Sequence, residues 1–236
     1  ELLTIGTDYT RSQAEIDAEL AKAGLAEQAA ETDVQISGIG QVTLDSKEII
    51  DAARAAYEAL TDEQKAYVTK LDVLEAAETA YRELKEAADK EAADRAAAAA
   101  VDAKIDAIGE VTLDSKEVID AARTAYNALT EDQKAYVTKL ATLEAAEKVY
   151  GDKAAAADVD AKIEMIGEVS LESKADIDIA RAAYEALTEE QKAYVTKLDI
   201  LEAAERTYAE LKEAADQEAA DRAAAAAVDA KIDAIG

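Results

Sequence analysis

Histidine, cysteine, proline, tryptophan and phenylalanine are all missing from this chain of 236 residues. Each absence closes a class of possibilities. Without His or Cys, most general bases, thiol nucleophiles and transition-metal ligand sets are gone. Without Pro, and with only eight Gly, little interrupts a helix. Without Phe or Trp, the large core side chains are Leu, Ile, Val, one Met and ten Tyr. The 50% apolar content therefore rests heavily on alanine, and such a chain buries thin seams more readily than one thick core. Positive charge is also scarce, with 26 basic residues against 53 acidic and a formal charge of −27. A field of that sign repels nucleic acid and anionic membranes, which need Lys and Arg to neutralise phosphate. It reads as a solvated, self-repelling surface, with a weak cation-dependent site on the acidic face as the sharper alternative. No run of 18 apolar residues could span a bilayer, and no signal peptide opens the chain.

What the chain does have is repetition. Ile-Gly recurs at Ile39-Gly40, Ile108-Gly109, Ile166-Gly167 and Ile235-Gly236, which are 69, 58 and 69 residues apart. After each of the first three comes one sentence of sequence, in the versions "QVTLDSKEIIDAARAAYEALTDEQKAYVTKLDVLEAAETAY", "EVTLDSKEVIDAARTAYNALTEDQKAYVTKLATLEAAEKVY" and "EVSLESKADIDIARAAYEALTEEQKAYVTKLDILEAAERTY". The segment "EAADRAAAAAVDAKIDAIG" stands at 91–109 and again, letter for letter, at 218–236.

Start and stop signals divide each copy into three helices. In the first copy Asp45/Ser46 cap a first helix, with Glu48 completing a capping box. Ile49, Ile50, Ala53, Tyr57 and Leu60 then form one apolar stripe. In the third copy Asp176 replaces the position of Ile49 and Val118, which predicts a thinner stripe there. Thr61 and Gln64 form a second capping box, repeated at Thr130/Gln133 and Thr188/Gln191, and open about two turns through Tyr67 and Val68. Thr69 with Asp72 starts the third helix, with Thr138 and Thr196 in the same place. No stop follows until Gly109, so a single helix of roughly 57 Å is expected from Leu71 to Ile108. Val101, Ile105 and Ile108 at its far end are expected to pack on the next copy.

The expected fold is all-α: an elongated rod of tandem small three-helix modules joined by long continuous Ala-rich helices. The modules fall at 32–81, 101–150 and 159–208. Residues 1–31 form a mostly helical N-terminal segment, in which Ser12 and Glu15 open a helix broken or bent near Gly24, and "ELLTIGTDY" reads as the stub of a preceding domain. Residues 82–100 and 151–158 are bridging helices. Residues 209–236 form another bridge and the start of a truncated next module, and both ends read as cut from something longer. The first bridge, rich in alanine, relies on helix propensity and on the pairs Glu86–Lys90 and Glu91–Arg95, although its alanines could instead pack against another helix. The second lacks 11 residues, about three turns, so the next module keeps nearly the same facing. Gly151 predicts a kink or a loosened turn there.

Little in the chain resembles a reactive site. None of the six Ser lies in Gly-x-Ser-x-Gly. Gly38-Ile39-Gly40 is not a dinucleotide loop, because no strand precedes it and a third Gly is missing. "DVDAKIEMIGE" at 158–168 looks like a calcium loop but lacks Gly at its sixth position and follows a helical pattern. Carboxylates abound, but thin bundles offer no pocket to hold a catalytic pair. No catalytic, cofactor-binding or metal-binding residue is assigned, no cofactor is implied, and an enzyme is not expected. Arg54, Arg123 and Arg181 recur with Glu78, Glu147 and Glu205, as ion pairs bracing the first helix against the third. The pairs Tyr57/Tyr67, Tyr126/Tyr136 and Tyr184/Tyr194 read as core-edge residues with surface hydroxyls, or alternatively as a ridge that binds a partner.

The Ile-Gly, Ala-Arg-x-x-Tyr, Leu-Thr-x-x-Gln-Lys and Leu-Glu-x-Ala-Glu elements, across residues 32–236, resemble helical tandem repeats of large secreted or cell-wall-attached proteins of Gram-positive bacteria. The architecture is similar to spectrin-type rods, with shorter modules. The resemblance implies an extracellular, cell-surface or cell-wall segment. It would be a stalk that projects another domain of the same larger protein or, alternatively, a tandem array (adhesin) that captures a host protein. It carries no site residues to transfer. No nucleic-acid partner and no membrane insertion are expected, and a monomer is.

Overall fold

The computed structural model describes residues 12–233, so the stub reading of residues 1–9 and the last Ile-Gly pair lie outside the described residues. All regular structure among them is helical. The order is α1 (Gln13–Gly38), α2 (Lys47–Glu58), α3 (Asp62–Lys65), α4 (Leu71–Asp106), α5 (Lys116–Asn127), α6 (Glu131–Lys134), α7 (Leu140–Met165), α8 (Lys174–Glu185), α9 (Glu189–Lys192) and α10 (Leu198–Asp233). Long helices thus alternate with pairs of short ones, and tandem helical modules follow from that order. The chain divides into two compact units, with the boundary inside α4 between Asp94 and Arg95.

The first unit has one core. The end of α1 supplies Ile36 and Ile39, α2 supplies Ile50 and Ala53, and the head of α4 supplies Leu74 and Ala77, with Tyr57, Val68 and Tyr81 around them. The second unit has two cores built the same way. In one, Val101, Ile105 and Ile108 pack with Ile119, Ala122, Leu143 and Ala146. In the other, Val159, Ile163 and Ile166 pack with Ile177, Ala180, Leu201 and Ala204. Within the second unit, the expected docking of an incoming helix end onto the next copy is therefore present.

Every incoming helix presents the same buried stripe. Ala29, Thr32, Ile36 and Ile39 fill it in the first copy, then Ala98, Val101, Ile105 and Ile108, then Ala156, Val159, Ile163 and Ile166. Steps of three, four and three keep these residues on one face. The chain then turns at Gly40, Gly109 and Gly167, with φ of 62°, 58° and 59°. Only glycine takes that left-handed conformation without a Cβ penalty.

Several local expectations give way. The cap before α2 is set earlier than Asp45/Ser46. Thr43 and Ser46 form a box around a single 3₁₀ turn, in which Thr43 N–H donates to Ser46 Oγ at 2.9 Å, and Ser46 makes no side-chain cap on α2 itself. Ile49 and Val118 lie outside the buried stripe, 41% and 42% exposed, because the face that meets the core is Ser46, Ile50, Ala53 and Tyr57. Asp176 therefore thins nothing. The Thr61/Gln64 box is present, with Thr61 N–H donating to Gln64 Oε1 at 2.8 Å, but α3 is one turn long rather than two. Neither Gly24 nor Gly151 breaks its helix, since α1 and α7 run through them.

The alanine-rich stretch is only partly bare. Residues 82–93 of α4 are exposed apart from half-buried Ala88. Lys85 pairs with Asp89 and Lys90 with Asp94. Beyond the boundary, however, Ala98 is buried and the Arg95 guanidinium lies 4.5 Å from the centre of the Tyr136 ring. The shorter helix α7 has no bare stretch at all, because Asp152 and Ala156 are already buried. Tyr81 stands 13 residues before Asp94 whereas Tyr150 stands two before Asp152. The 11 missing residues are thus those of the exposed stretch, and the packed end is kept whole.

Candidate functional site

Three repeated constellations hold each module, and the first was not expected from sequence. Asp33, near the end of α1, accepts from Thr69 N–H at 3.0 Å, Thr69 Oγ1 at 2.6 Å and Lys70 N–H at 3.0 Å. Asp102 treats Thr138 and Lys139 in the same way, with the hydroxyl at 2.6 Å and the Lys139 amide at 3.1 Å. Asp160 does so for Thr196 and Lys197, at 2.6 and 3.0 Å. A carboxylate from the incoming helix thus satisfies the amides of the turn that starts the outgoing one, where the helix dipole favours negative charge. Partial burial alone would raise the Asp102 pKa, but the Thr138 hydroxyl, the two amides and the Lys139 charge outweigh it and hold the carboxyl below its usual range. Beside the clamp, the same lysines reach Ser37, Asp106 and Glu164.

The bond spans 36 residues, so no local capping pattern reveals it. Its signal is Asp seven places before each repeated Gly, at 33, 102, 160 and 229, kept in the first copy even though its neighbours there are Thr32 and Val34 instead of Val and Ala. Thr69, Thr138 and Thr196 receive the clamp rather than acting as caps themselves.

The second constellation is the expected brace between the first helix and the third. Arg54 meets Glu78 through two parallel bonds, Nε to Oε1 at 2.6 Å and Nη2 to Oε2 at 2.7 Å. Arg123 with Glu147 and Arg181 with Glu205 reproduce it. These charge-assisted forks raise the three arginine pKa values against a smaller opposing effect of burial. The third is a half-buried tyrosine between cations. Tyr57 has Arg54 and Lys65 each 5.5 Å from its ring centre, and Tyr126 and Tyr184 have the equivalent neighbours. Tyr67 and Tyr136 are half-buried as well, and Tyr194 is exposed. Tyr194 receives Lys153, whose ammonium also donates to the Val111 carbonyl at 2.6 Å and so ties the two cores of the second unit together.

Shallow apolar grooves complete the inventory. One of about 350 Å³ is lined by Ile39, Val42, Val73 and Ala80, and one of about 330 Å³ by Ile166, Val169, Ile200 and Thr207. No cluster of three or more metal-ligating side chains occurs among the described residues. The segment 158–168 is helical through Met165, with Asp158 paired to Lys162 and Asp160 used as a clamp. No helix among the described residues is long and apolar enough to cross a membrane.

Comparison with protein-family models, with curated proteins and with solved structures finds no match. The repeating helical architecture is established without a family to attach it to.

Proposed function

We propose that the chain is a structural spacer, a stalk segment of a bacterial surface protein that projects a functional domain away from the cell. One observation supports the reading most. Residues 82–93 of α4 are helical and exposed, and the 58-residue repeat omits that stretch while keeping every packed residue. Length is varied where the helix is exposed, and the packing is left alone where the modules are built. The constellations brace helices and hold their own partners within each module, which suits load-bearing better than turnover. No catalysis is assigned.

Small-angle scattering tests this reading. A compact globule of this length would have a radius of gyration of about 18 Å. A spacer whose long helices overlap where they pack, and which advances about 120 Å in all on the 1.5 Å rise, should measure about 35 Å. A monomer near the lower value would end the proposal.

A second reading, a tandem array that captures a host protein, is favoured by one feature. Leu44, Leu113 and Leu171 occupy the same position in the three copies and are all about half exposed. Other exposed apolar positions drift, as in Val73, Thr142 and Ile200. Stoichiometric capture of one serum protein, lost on changing the three leucines to Ser, would make this reading the better one.

A further inference from the structure

Residues 218–236 repeat 91–109 without a change, yet the two copies have different surroundings. In the first copy Val101 is 3% exposed and Ile105 is 1% exposed, covered by Ile119 and Ala122 of α5 and by Leu143 and Ala146 of α7. In the second copy the equivalent Val228 is 55% exposed and Ile232 60%. Asp102 holds Thr138 and Lys139, and Arg95 lies over Tyr136. Their counterparts Asp229 and Arg222 hold no such partners: Arg222 turns back to Glu218 on its own helix, and Asp229 is exposed. Identical residues on the same kind of helix differ only in what lies against them.

We infer that the face of α10 carrying Arg222, Ala225, Val228, Asp229 and Ile232 is a docking surface for a further module of the type formed by residues 110–150. The surface specifies its occupant. Ala225, Val228 and Ile232 require a short helix with Ile and Ala three residues apart, as Ile119 and Ala122 are in α5. Asp229 requires a Thr-Lys turn opening the next helix, and Arg222 a tyrosine that follows a one-turn helix, as Tyr136 follows α6. The Ile-Ala pair, the Thr-Lys turn and the tyrosine recur in all three modules, and 110–150 is the copy that follows this same 19-residue segment within the chain. A second molecule of this chain is a poorer occupant, since each of its three modules already has an incoming helix packed in place, through Ile36, Ile105 and Ile163. The inference rests on packing alone and holds whether the array spaces or captures.

The test is the full chain extended after Gly236 by a second copy of residues 110–150, compared with the same chain extended by a scrambled 110–150. Amide hydrogen exchange is read across 222–233. The native extension should slow exchange there by about a hundredfold, towards the rates at 95–106, and the scrambled one should not. Asp229→Ala in the native extension should return about tenfold of that protection while leaving the unextended chain unchanged. Equal exchange in the two extended chains would overturn the inference. So would protection of 222–233 in the unextended chain together with a dimer in sedimentation, since the occupant would then be a second copy.

Discussion

Gly151 lies inside α7 with nothing within 4 Å of where a Cβ would stand. The helix there bears the full backbone entropy of glycine and gains nothing from the missing side chain. Gly151→Ala should therefore stabilise the second unit by about 0.5–1 kcal/mol. A thermal melt should show a midpoint higher by about 2–4 °C. Gly109 is the counter-case, because at its φ of 58° an alanine would suffer a left-handed backbone penalty of about 1–2 kcal/mol. The clamp aspartates are the other residues on which much depends. Asp102→Ala should cost about 1–2 kcal/mol, the range for a lost helix cap, measured by urea unfolding. Its pH dependence has a definite sign. The folded-state pKa is depressed, so the carboxylate stabilises the fold at all pH above the unfolded value of about 3.9. That contribution is lost as pH falls through the folded value. The stability gap between the parent and Asp102→Asn should then be full at neutral pH and narrow below about pH 4. A constant gap down to pH 2 would mean that the charge of Asp102 has no part in the clamp.

At the level of elements, helix identity was legible because absent Pro and sparse Gly left only a few places to stop, and those places recur. The tail stripe through Val101, Ile105 and Ile108 was legible because its period is regular and its neighbours are polar or small. The stripe of α2 was less so, since Ile49 and Ile50 adjoin and either satisfies a helical period with Ala53. Only the position of the incoming helix selects Ile50. The brace of Arg54 with Glu78 was readable from recurrence, whereas the clamp of Asp33 on Thr69 was not, because a bond across 36 residues leaves no local pattern. Gly24 and Gly151 interrupt neither helix, because glycine weakens a helix without ending it when good helix formers stand on both sides. The exposed stretch of α4 is where continuity is most open to test. Ala92→Pro removes an amide bonded to the preceding turn and should cost about 3 kcal/mol in helix stability. Residues 92 and 93 lie outside all three cores, so each core should survive. The expected result is unfolding of the first core separated from that of the second unit in calorimetry, and a single transition matching the parent would show that α4 does not couple them.

At the level of the whole molecule, the two repeat lengths and the charge of −27 were plain from the sequence, but the biological task was not. Brace, clamp and stripe all serve the fold, and a residue that binds its own chain says nothing about what else the chain meets. The exposed helix between Arg82 and Ala93 has one more consequence. It carries Arg82, Lys85 and Lys90 in open solvent, the residues at which trypsin cuts. A protease must first draw its substrate out of helical form, and here every cleavable bond lies inside a closed ladder of backbone hydrogen bonds. Lys70, Lys139 and Lys197 would be cut on their carboxyl side, and the amide just before each of those bonds is held by a clamp. Digestion must wait for local opening, so a chain that displays its cleavage sites in plain view should still be cut slowly.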